Sequence, residues 1–242
     1  MNKNTRIAVC CYQGDQHYVI KALGNYLQHE CPVVVLSPED SKAEIRYPGI
    51  ENRYGGKRAY IGQDSLDRQR RHLEILLEFP ENHFLIHDSD SICLTPELPA
   101  YLYAEPDLVW SNLVNDDIPE HLPEFEARGE RWPHVAFQPP YFLSRRTIQR
   151  MLKVADHPGV KASLIMPFID FYMVQLTMYA GLPYRRFPAC VSCSDHPSLL
   201  GTEIMSKQVR EDGAIFIHSV KRPEVYQRLL QDRQEFLRTH QG

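Results

Sequence analysis

The stretch from Arg6 to Leu36 reads RIAVCCYQGDQHYVIKALGNYLQHECPVVVL. Residues 6–12 form an apolar run that is typical of a buried strand. In residues 16–29 the apolar side chains recur at helical spacing, and residues 33–36 form a short β-branched run typical of a buried parallel strand. A strand, a helix and a strand at this spacing predict a βαβ unit. The sequence therefore favours an α/β fold.

The rest of the chain continues this alternation, and residues 38–62, 113–140 and 182–212 are expected to be loops or irregular. The further elements expected are a helix from about Ser65 to Phe79, strands at residues 83–88, 107–112 and 141–144, a helix that buries Ile148, Met151, Leu152 and Ala155, a helix from Asp170 to about Ala180, a strand at residues 214–218 and a helix from Pro223. No internal repeat and no convincing linker divides the chain, so we expect one domain over residues 1–242.

Composition and charge are those of an ordinary globular protein. Hydrophobic residues make up 43% of the chain, yet no apolar run approaches the roughly 18 residues that span a bilayer. The apolar run at residues 7–12 is too short for a signal-peptide core, and six cysteines in 242 residues do not make a disulfide scaffold. We therefore expect a soluble cytoplasmic protein. The net charge of −4 argues against a nucleic-acid partner without excluding a local basic groove.

Two carboxylates stand one residue apart where an apolar run ends, in the segment FLIHDSDSICL at residues 84–94. Asp88 is expected at the carboxyl end of a mid-sheet strand, which is the edge where open α/β sheets bind ligands. Burying an unpaired carboxylate costs several kcal/mol, so either this turn is simply exposed or a positive group sits beside it. A divalent cation that also bridges a ligand's phosphates would be such a group, and it would stabilise a diphosphate leaving group.

With its preceding strand, the DSD segment resembles the DxD motif of metal-dependent, nucleotide-sugar-using glycosyltransferases of the GT-A fold. RIAVCCY, the helix after it and VVVLSP resemble the nucleotide-binding first half of that fold, and IFIHSVK at residues 215–221 resembles its late strand. DSDSICLTP, WSN and QPPYFLSR together resemble a small chlorovirus-type glycosyltransferase domain. The resemblance implies a GT-A type fold, in which a single domain holds a Rossmann-like mixed sheet flanked by helices.

The resemblance also implies a metal site made of Asp88, Asp90 and His218. Asp88 would contact the metal or the ribose of the donor, Asp90 would ligate the metal, and His218 would be the third protein ligand. A nitrogen ligand beside carboxylates suits Mn²⁺ better than Mg²⁺, so we expect Mn²⁺ or Mg²⁺ as the cofactor. The simpler interpretation of His218 is a satisfied histidine at the end of a strand.

The donor implied is a nucleotide-diphosphate sugar, either a UDP-sugar or a GDP-sugar. Lys221 would meet a phosphate oxygen, and Arg68 lies on the helix where the family often places a basic donor-binding residue. The donor-binding candidates are Tyr12, Arg68, Asp88, Ser89 and Lys221. The run GGKR at residues 55–58 lacks the spacing of a P-loop, but it could form a loop near the donor phosphates.

Asp170, in the run PFIDFYMV, is the candidate general base. Apolar neighbours would raise the pKa of this carboxyl, which suits a base, although aspartate is equally a favoured helix cap. Family members that invert configuration carry an acid near the start of a comparable helix, so we expect an inverting transfer. The acceptor would be a carbohydrate or another hydroxyl compound, because aromatic faces suit sugar C–H surfaces and amides suit hydroxyls. The acceptor-binding candidates are Trp110, Asn112, Gln138 and Tyr141.

Other interpretations remain open. Cys190 and Cys193 have the spacing of half a zinc site, but no second cysteine pair completes it. A nucleotidyltransferase would share the βαβ start and the paired carboxylates, and a non-catalytic nucleotide- or sugar-binding module would share the fold. A glycosyltransferase that acts on modified DNA bases would use the arginine pairs of the sequence to follow phosphates.

Overall fold

We describe the fold from a computed structural model of the chain. It describes residues 4–27, 30–59, 62–94, 98–114, 136–161, 169–187, 190–192, 199–218, 220 and 222–240. The strands are β1 (Thr5–Cys10), β2 (Val33–Ser37), β3 (Ile50–Tyr54), β4 (His83–Asp88), β5 (Ile92–Cys93), β6 (Val109–Val114), β7 (Ala136–Ser144), β8 (Tyr184–Arg186), β9 (Cys190–Ser192) and β10 (Phe216–His218). The α-helices are α1 (Gln16–Leu27), α2 (Gly62–Leu76), α3 (Arg145–Val154), α4 (Pro158–Lys161), α5 (Ile169–Tyr179), α6 (Leu199–Glu211) and α7 (Pro223–His240).

A seven-stranded mixed sheet forms the centre of the fold, in the order β3-β2-β1-β4-β7-β6-β8. Strands β1 to β4 are mutually parallel where they pair, β7 is antiparallel to both of its neighbours, and β6 pairs parallel with β8. A second sheet has the order β5-β10-β9. The predicted fold class is confirmed: it is an α/β fold with a Rossmann-like mixed sheet flanked by helices. That the domain spans all of residues 1–242 stays a prediction.

The two faces of the sheet are covered by separate apolar clusters, because successive side chains of a strand point to opposite faces. Ala8, Val34 and Ile86 pack on one face with side chains of α2, α3 and α5. Ile7 and Leu85 pack on the other face with side chains of α1. Both faces of β1, β2 and β4 are therefore buried, which explains why their sequences are continuous apolar runs.

The order of the strands creates a switch point between β1 and β4. The chain runs outward from β1 through β2 to β3, and then returns to β4 on the other side of β1. Cys10, the last residue of β1, lies opposite Leu36 on one side and Asp88 on the other. In open α/β sheets, ligands bind in the crevice at such a point, outside the carboxyl ends of the strands.

Several expected boundaries are wrong. Residues 50–54 form β3 rather than loop; this edge strand alternates half-buried and exposed residues, so it has no apolar run. Strand β7 begins at Ala136 rather than at residue 141. The sequence did not indicate its first part, because Pro139 and Pro140 lie inside it and prolines usually indicate a loop. The described residues between 182 and 212 are not irregular throughout, since they include β8, β9 and α6.

Smaller shifts occur elsewhere. The strand expected at residues 107–112 is β6, and the one expected at residues 214–218 is the shorter β10. The helix expected from Ser65 to Phe79 is α2, which begins three residues earlier and ends at Leu76. Among the helices of the described residues, none is long and apolar enough to cross a membrane.

Candidate functional site

The turn after β4 is tied to the strand that carries His218. The backbone N–H of Ser91 donates to the carbonyl of Asp88 at 3.1 Å, which closes the turn. Strand β5 follows immediately and pairs antiparallel with β10. Beyond β10, the N–H of Val220 donates to the carbonyl of Asp90 at 2.6 Å. These backbone bonds hold the end of β10 against residues 88–90, which we call the DSD turn.

Asp88, Asp90 and His218 therefore meet at one point. Each offers one ligand atom, these atoms lie within 4.8 Å of one another, and all three residues are half-buried. Ser91 Oγ lies 2.7 Å from His218 Nδ1, so this nitrogen is engaged and Nε2 is the nitrogen left for a metal. A metal-binding histidine is usually oriented by such a bond to its other ring nitrogen. Two carboxylates and one imidazole are a donor set that fits Mn²⁺.

The charges at this point favour a cation. Burial raises the pKa of Asp88 to about 6. The neighbouring His218 acts to lower that pKa, Asp90 to raise it and Arg68 to lower it. A carboxyl whose ionised form is disfavoured by burial and by a second carboxylate is stabilised as the anion when a cation arrives.

Two cavities adjoin the candidate metal ligands Asp88 and Asp90. One, of about 150 Å³, lies between the ends of β1 and β2 and helix α2. The other, of about 330 Å³, lies between the end of β1 and the DSD turn, and its lining includes Ser89 and Asp90. Cys10, Tyr12 and Asp88 line both cavities. We call the two cavities together the crevice. The structure brings four of the predicted donor-binding residues together around it: Tyr12, Arg68, Asp88 and Ser89.

Arg68 is an unusual member of the first cavity's lining. It is only 3% exposed, and its Nη1 is buried without a hydrogen-bond partner among the described residues. Its guanidinium carbon lies 5.4 Å from the centre of the Tyr12 ring. A buried charged group with an unsatisfied donor is costly, so Arg68 is suited to a ligand that brings an anion or a strong acceptor.

Sequence reasoning missed His72 beside these cavities, whereas it expected the loop at residues 55–58 near the donor phosphates. The guanidinium carbon of Arg58 also lies close to Tyr12, 5.0 Å from the centre of its ring. Gly56 places this loop against α2, because a Cβ there would lie 2.5 Å from the Cα of Arg68. His72 lines the first cavity, and burial lowers its pKa to about 3. Its spacing of four residues from Arg68 on one helix was the available signal.

The predicted acceptor residues occupy neighbouring strands. Asn112 on β6 lies opposite Gln138 on β7, and β6 runs in the same direction as β4. Trp110, Asn112 and Tyr141 are buried, and the hydroxyl of Tyr141 donates to the carbonyl of Phe137 at 3.0 Å. Trp110 Nε1 and Asn112 Nδ2 are buried without a hydrogen-bond partner among the described residues. Their acceptor role stays a prediction.

Four residues considered in the sequence analysis fall partly or wholly outside the described part of the chain. Asp170 belongs to α5, but only its backbone is described. Lys221 and Cys193 lie outside the described residues, and for Cys190 only the backbone is described, in β9. The roles expected for Asp170 and Lys221 therefore stay predictions.

The likeness of this chain to known proteins lies in structure rather than in sequence. No protein-family model matches the sequence, and no curated protein matches it. Among solved structures, the chain is similar to the crystal structure of a glycosyltransferase involved in the glycosylation of the major capsid of PBCV-1. The sequence identity is 13%, the TM-score is 0.44, and the match covers 95% of this chain and 98% of that chain. A likeness of this degree does not by itself establish the activity of this chain.

Proposed function

We propose that this protein is a metal-dependent glycosyltransferase, which moves a sugar from a nucleotide-diphosphate-sugar donor to a hydroxyl acceptor. One observation carries the proposal: Asp88, Asp90 and His218 converge at the switch point of an α/β sheet, beside a crevice lined by Arg68. Carboxylates with an imidazole suit a divalent cation, and a buried cationic side chain suits an anionic or acceptor-rich ligand. A nucleotide-diphosphate sugar bound together with a divalent cation would supply both the cation for the carboxylates and the anion for Arg68.

Each residue has a defined task in this proposal. Asp88, Asp90 and His218 hold Mn²⁺ or Mg²⁺, which supplies Lewis-acid stabilisation of the diphosphate that leaves. Arg68 and Tyr12 contact the nucleotide of the donor, with Ser89 at the rim of the crevice. Lys221 follows the described Val220 in sequence and would add a positive charge toward the diphosphate, where negative charge grows as the bond to the sugar breaks.

The acceptor must lose a proton as the new bond forms. Asp170 is proposed as the base that receives the proton of the acceptor hydroxyl, on the face of the sugar opposite the departing diphosphate. Displacement from that face inverts the configuration of the anomeric carbon. Trp110, Asn112, Gln138 and Tyr141 are proposed to form the acceptor side of the site.

The test is a screen of UDP- and GDP-sugars for slow hydrolysis, with Mn²⁺ and without an acceptor. We expect one donor class to be hydrolysed to a nucleoside diphosphate and a free sugar, and EDTA to stop the reaction. Release of pyrophosphate in incubations with a nucleoside triphosphate and a sugar phosphate would instead identify a nucleotidyltransferase. Tight binding of a nucleoside diphosphate without turnover on any acceptor would identify a binding module.

The DNA-directed alternative makes a separate prediction. If the acceptor were a hydroxylated base in DNA, affinity for DNA would fall steeply as salt increases, because phosphate contacts release counterions. Equal transfer to free sugars and to DNA at high salt would contradict it.

A further inference from the structure

A buried tyrosine and a buried histidine connect the two ends of the DSD turn. His87 is completely buried on β4, and its Nδ1 lies 2.8 Å from the carbonyl oxygen of Asp88. Its Nε2 lies 2.8 Å from the hydroxyl of Tyr26, which is completely buried on α1. A carbonyl oxygen can only accept, so the proton is on Nδ1 and Nε2 accepts from the tyrosine hydroxyl.

The same hydroxyl reaches the strand beyond the turn. Burial raises the pKa of Tyr26, and the backbone of Cys93 lies near enough to this hydroxyl to act on that pKa in the direction that lowers it. Cys93 belongs to β5, whose partner across the small sheet is Phe216, two residues before His218. One chain of hydrogen bonds therefore runs from Tyr26 through His87 to Asp88, with the backbone of Cys93 beside the tyrosine hydroxyl.

We infer that Tyr26 and His87 are positioning residues that hold the DSD turn in the shape which brings Asp88 and Asp90 to His218. Neither side chain belongs to the cluster of candidate ligands, and both act through the backbone of the turn. The inference rests on the proposed function, because it assigns the pair a purpose in metal binding. Partners outside the ligand set usually change metal affinity by about 10–100-fold when they are removed.

The variant Tyr26→Phe tests the inference, since it removes one hydroxyl and keeps the buried ring. We expect its affinity for Mn²⁺ to fall about 10–100-fold, measured by calorimetry or by the electron paramagnetic resonance signal of free Mn²⁺. The matched control is Tyr103→Phe. The hydroxyl of Tyr103 lies 3.1 Å from Thr5 Oγ1, at the opposite end of β1 from the turn. The control should lose a similar hydrogen bond and keep the affinity of the wild-type protein.

A second variant tests whether the pair acts as one unit. His87→Phe removes both ring nitrogens, and we expect a loss of Mn²⁺ affinity similar to that of Tyr26→Phe. The double variant should lose no more than the larger single loss, because partners in one network are not additive. Additive losses would contradict the inference.

The outcomes separate this inference from the function on which it rests. If Tyr26→Phe only lowers the unfolding temperature in EDTA and binds Mn²⁺ like the wild-type protein, the pair is merely structural and the inference is overturned. If the wild-type protein itself binds neither Mn²⁺ nor Mg²⁺, the proposed metal site is overturned and the inference with it.

Discussion

The two halves of the central sheet differ in what they offer to a ligand. The first half consists of β3, β2, β1 and β4, and the second half of β7, β6 and β8. In the first half, the ends of β1 and β4 open into two cavities, and charged side chains line them. In the second half, the candidate side chains on β6 and β7 are turned into packing, with Asn112 1% exposed and Tyr141 6% exposed. The difference favours the crevice of the first half as the place for the proposed donor and metal, and it leaves the proposed acceptor side without a comparable cavity among the described residues.

The largest expected effect comes from Asp170, because a positioned base contributes about 10²–10⁴-fold to rate. Asp170→Asn should lose transfer by about that factor and keep donor binding, since asparagine has nearly the same size and shape as aspartate and Asp170 is not proposed to contact the donor nucleotide. The measurement is single-turnover transfer alongside nucleotide affinity. The anomeric proton of the product, observed by NMR, checks the stereochemistry.

Two results would contradict this role of Asp170. Nearly full activity in the asparagine variant would indicate that the residue only caps or packs its helix. Retained configuration in the product would exclude the assignment whatever the variant does. Either result would leave the metal site of the first half of the sheet untouched.

The metal site has the next largest expected effect. Asp90→Ala should slow transfer about 10²–10³-fold if the ion contributes about 3–4 kcal/mol to the transition state. EDTA should abolish transfer, and Mn²⁺ should restore it at least as well as Mg²⁺. Asp156→Ala is the matched control, because this exposed carboxylate only pairs with Arg70 and Lys161 at the surface. Full activity in EDTA would end the metal hypothesis.

These predictions depend on features that the sequence shows to different degrees. Strands β1, β2 and β4 were predicted because both of their faces are buried, so each is an unbroken apolar run. Asp88 and Asp90 were recognisable because they follow such a run. Strand β3 and the first part of β7 were missed, since edge exposure and Pro139–Pro140 remove that signal.

The partners of the site residues could not be predicted, because long-range contacts create them. Nothing in the local sequence indicates that Ser91 meets His218, which is 127 residues away. The bond between Tyr26 and His87 joins residues 61 positions apart and depends on how α1 packs on β4. His218 itself was found only through resemblance to a family. Its position beside the carboxylates follows from the pairing of β5 with β10.

Arg68 makes the third prediction, on the nucleotide side of the crevice. Arg68→Met keeps the apolar stem and removes the charge, so nucleoside diphosphate should bind about 10–100-fold more weakly, as expected for a bond to a charged group. The free energy of unfolding of the ligand-free protein should change little, because the cost of burying a charged group with an unsatisfied Nη1 is removed together with its attraction to Asp88. Calorimetry and denaturant unfolding measure the two quantities.

The control for Arg68 lies on the same helix. Arg71 is half-exposed and pairs with Glu74 and Glu78, so Arg71→Met should change nucleotide affinity little. Equal losses in the two variants would mean that the effect is a general loss of positive charge. An unchanged affinity in Arg68→Met would remove Arg68 from the donor site.

Ser91 should have a smaller effect, restricted to the metal. Ser91→Ala removes the partner of His218 Nδ1, so we expect Mn²⁺ affinity to fall about tenfold while the ligands themselves remain. Ser89→Ala is a useful control, since Ser89 lies in the same turn and lines the neighbouring cavity. Equal Mn²⁺ affinity in Ser91→Ala and the wild-type protein would show that His218 needs no such orientation.

The smallest effect is expected on the acceptor side, at Tyr141. Its hydroxyl already donates to the carbonyl of Phe137, so Tyr141→Phe should lower the free energy of unfolding by about 1 kcal/mol. The ring remains, and the ring is the part predicted to suit the C–H surface of a sugar, so the KM for the acceptor should change less than about twofold. Nucleotide and Mn²⁺ affinities should be unchanged, because Tyr141 lines neither cavity of the first half of the sheet. A tenfold rise in acceptor KM would show that the hydroxyl leaves Phe137 to contact the acceptor, and the second half of the sheet would then be as directly involved in binding as the first.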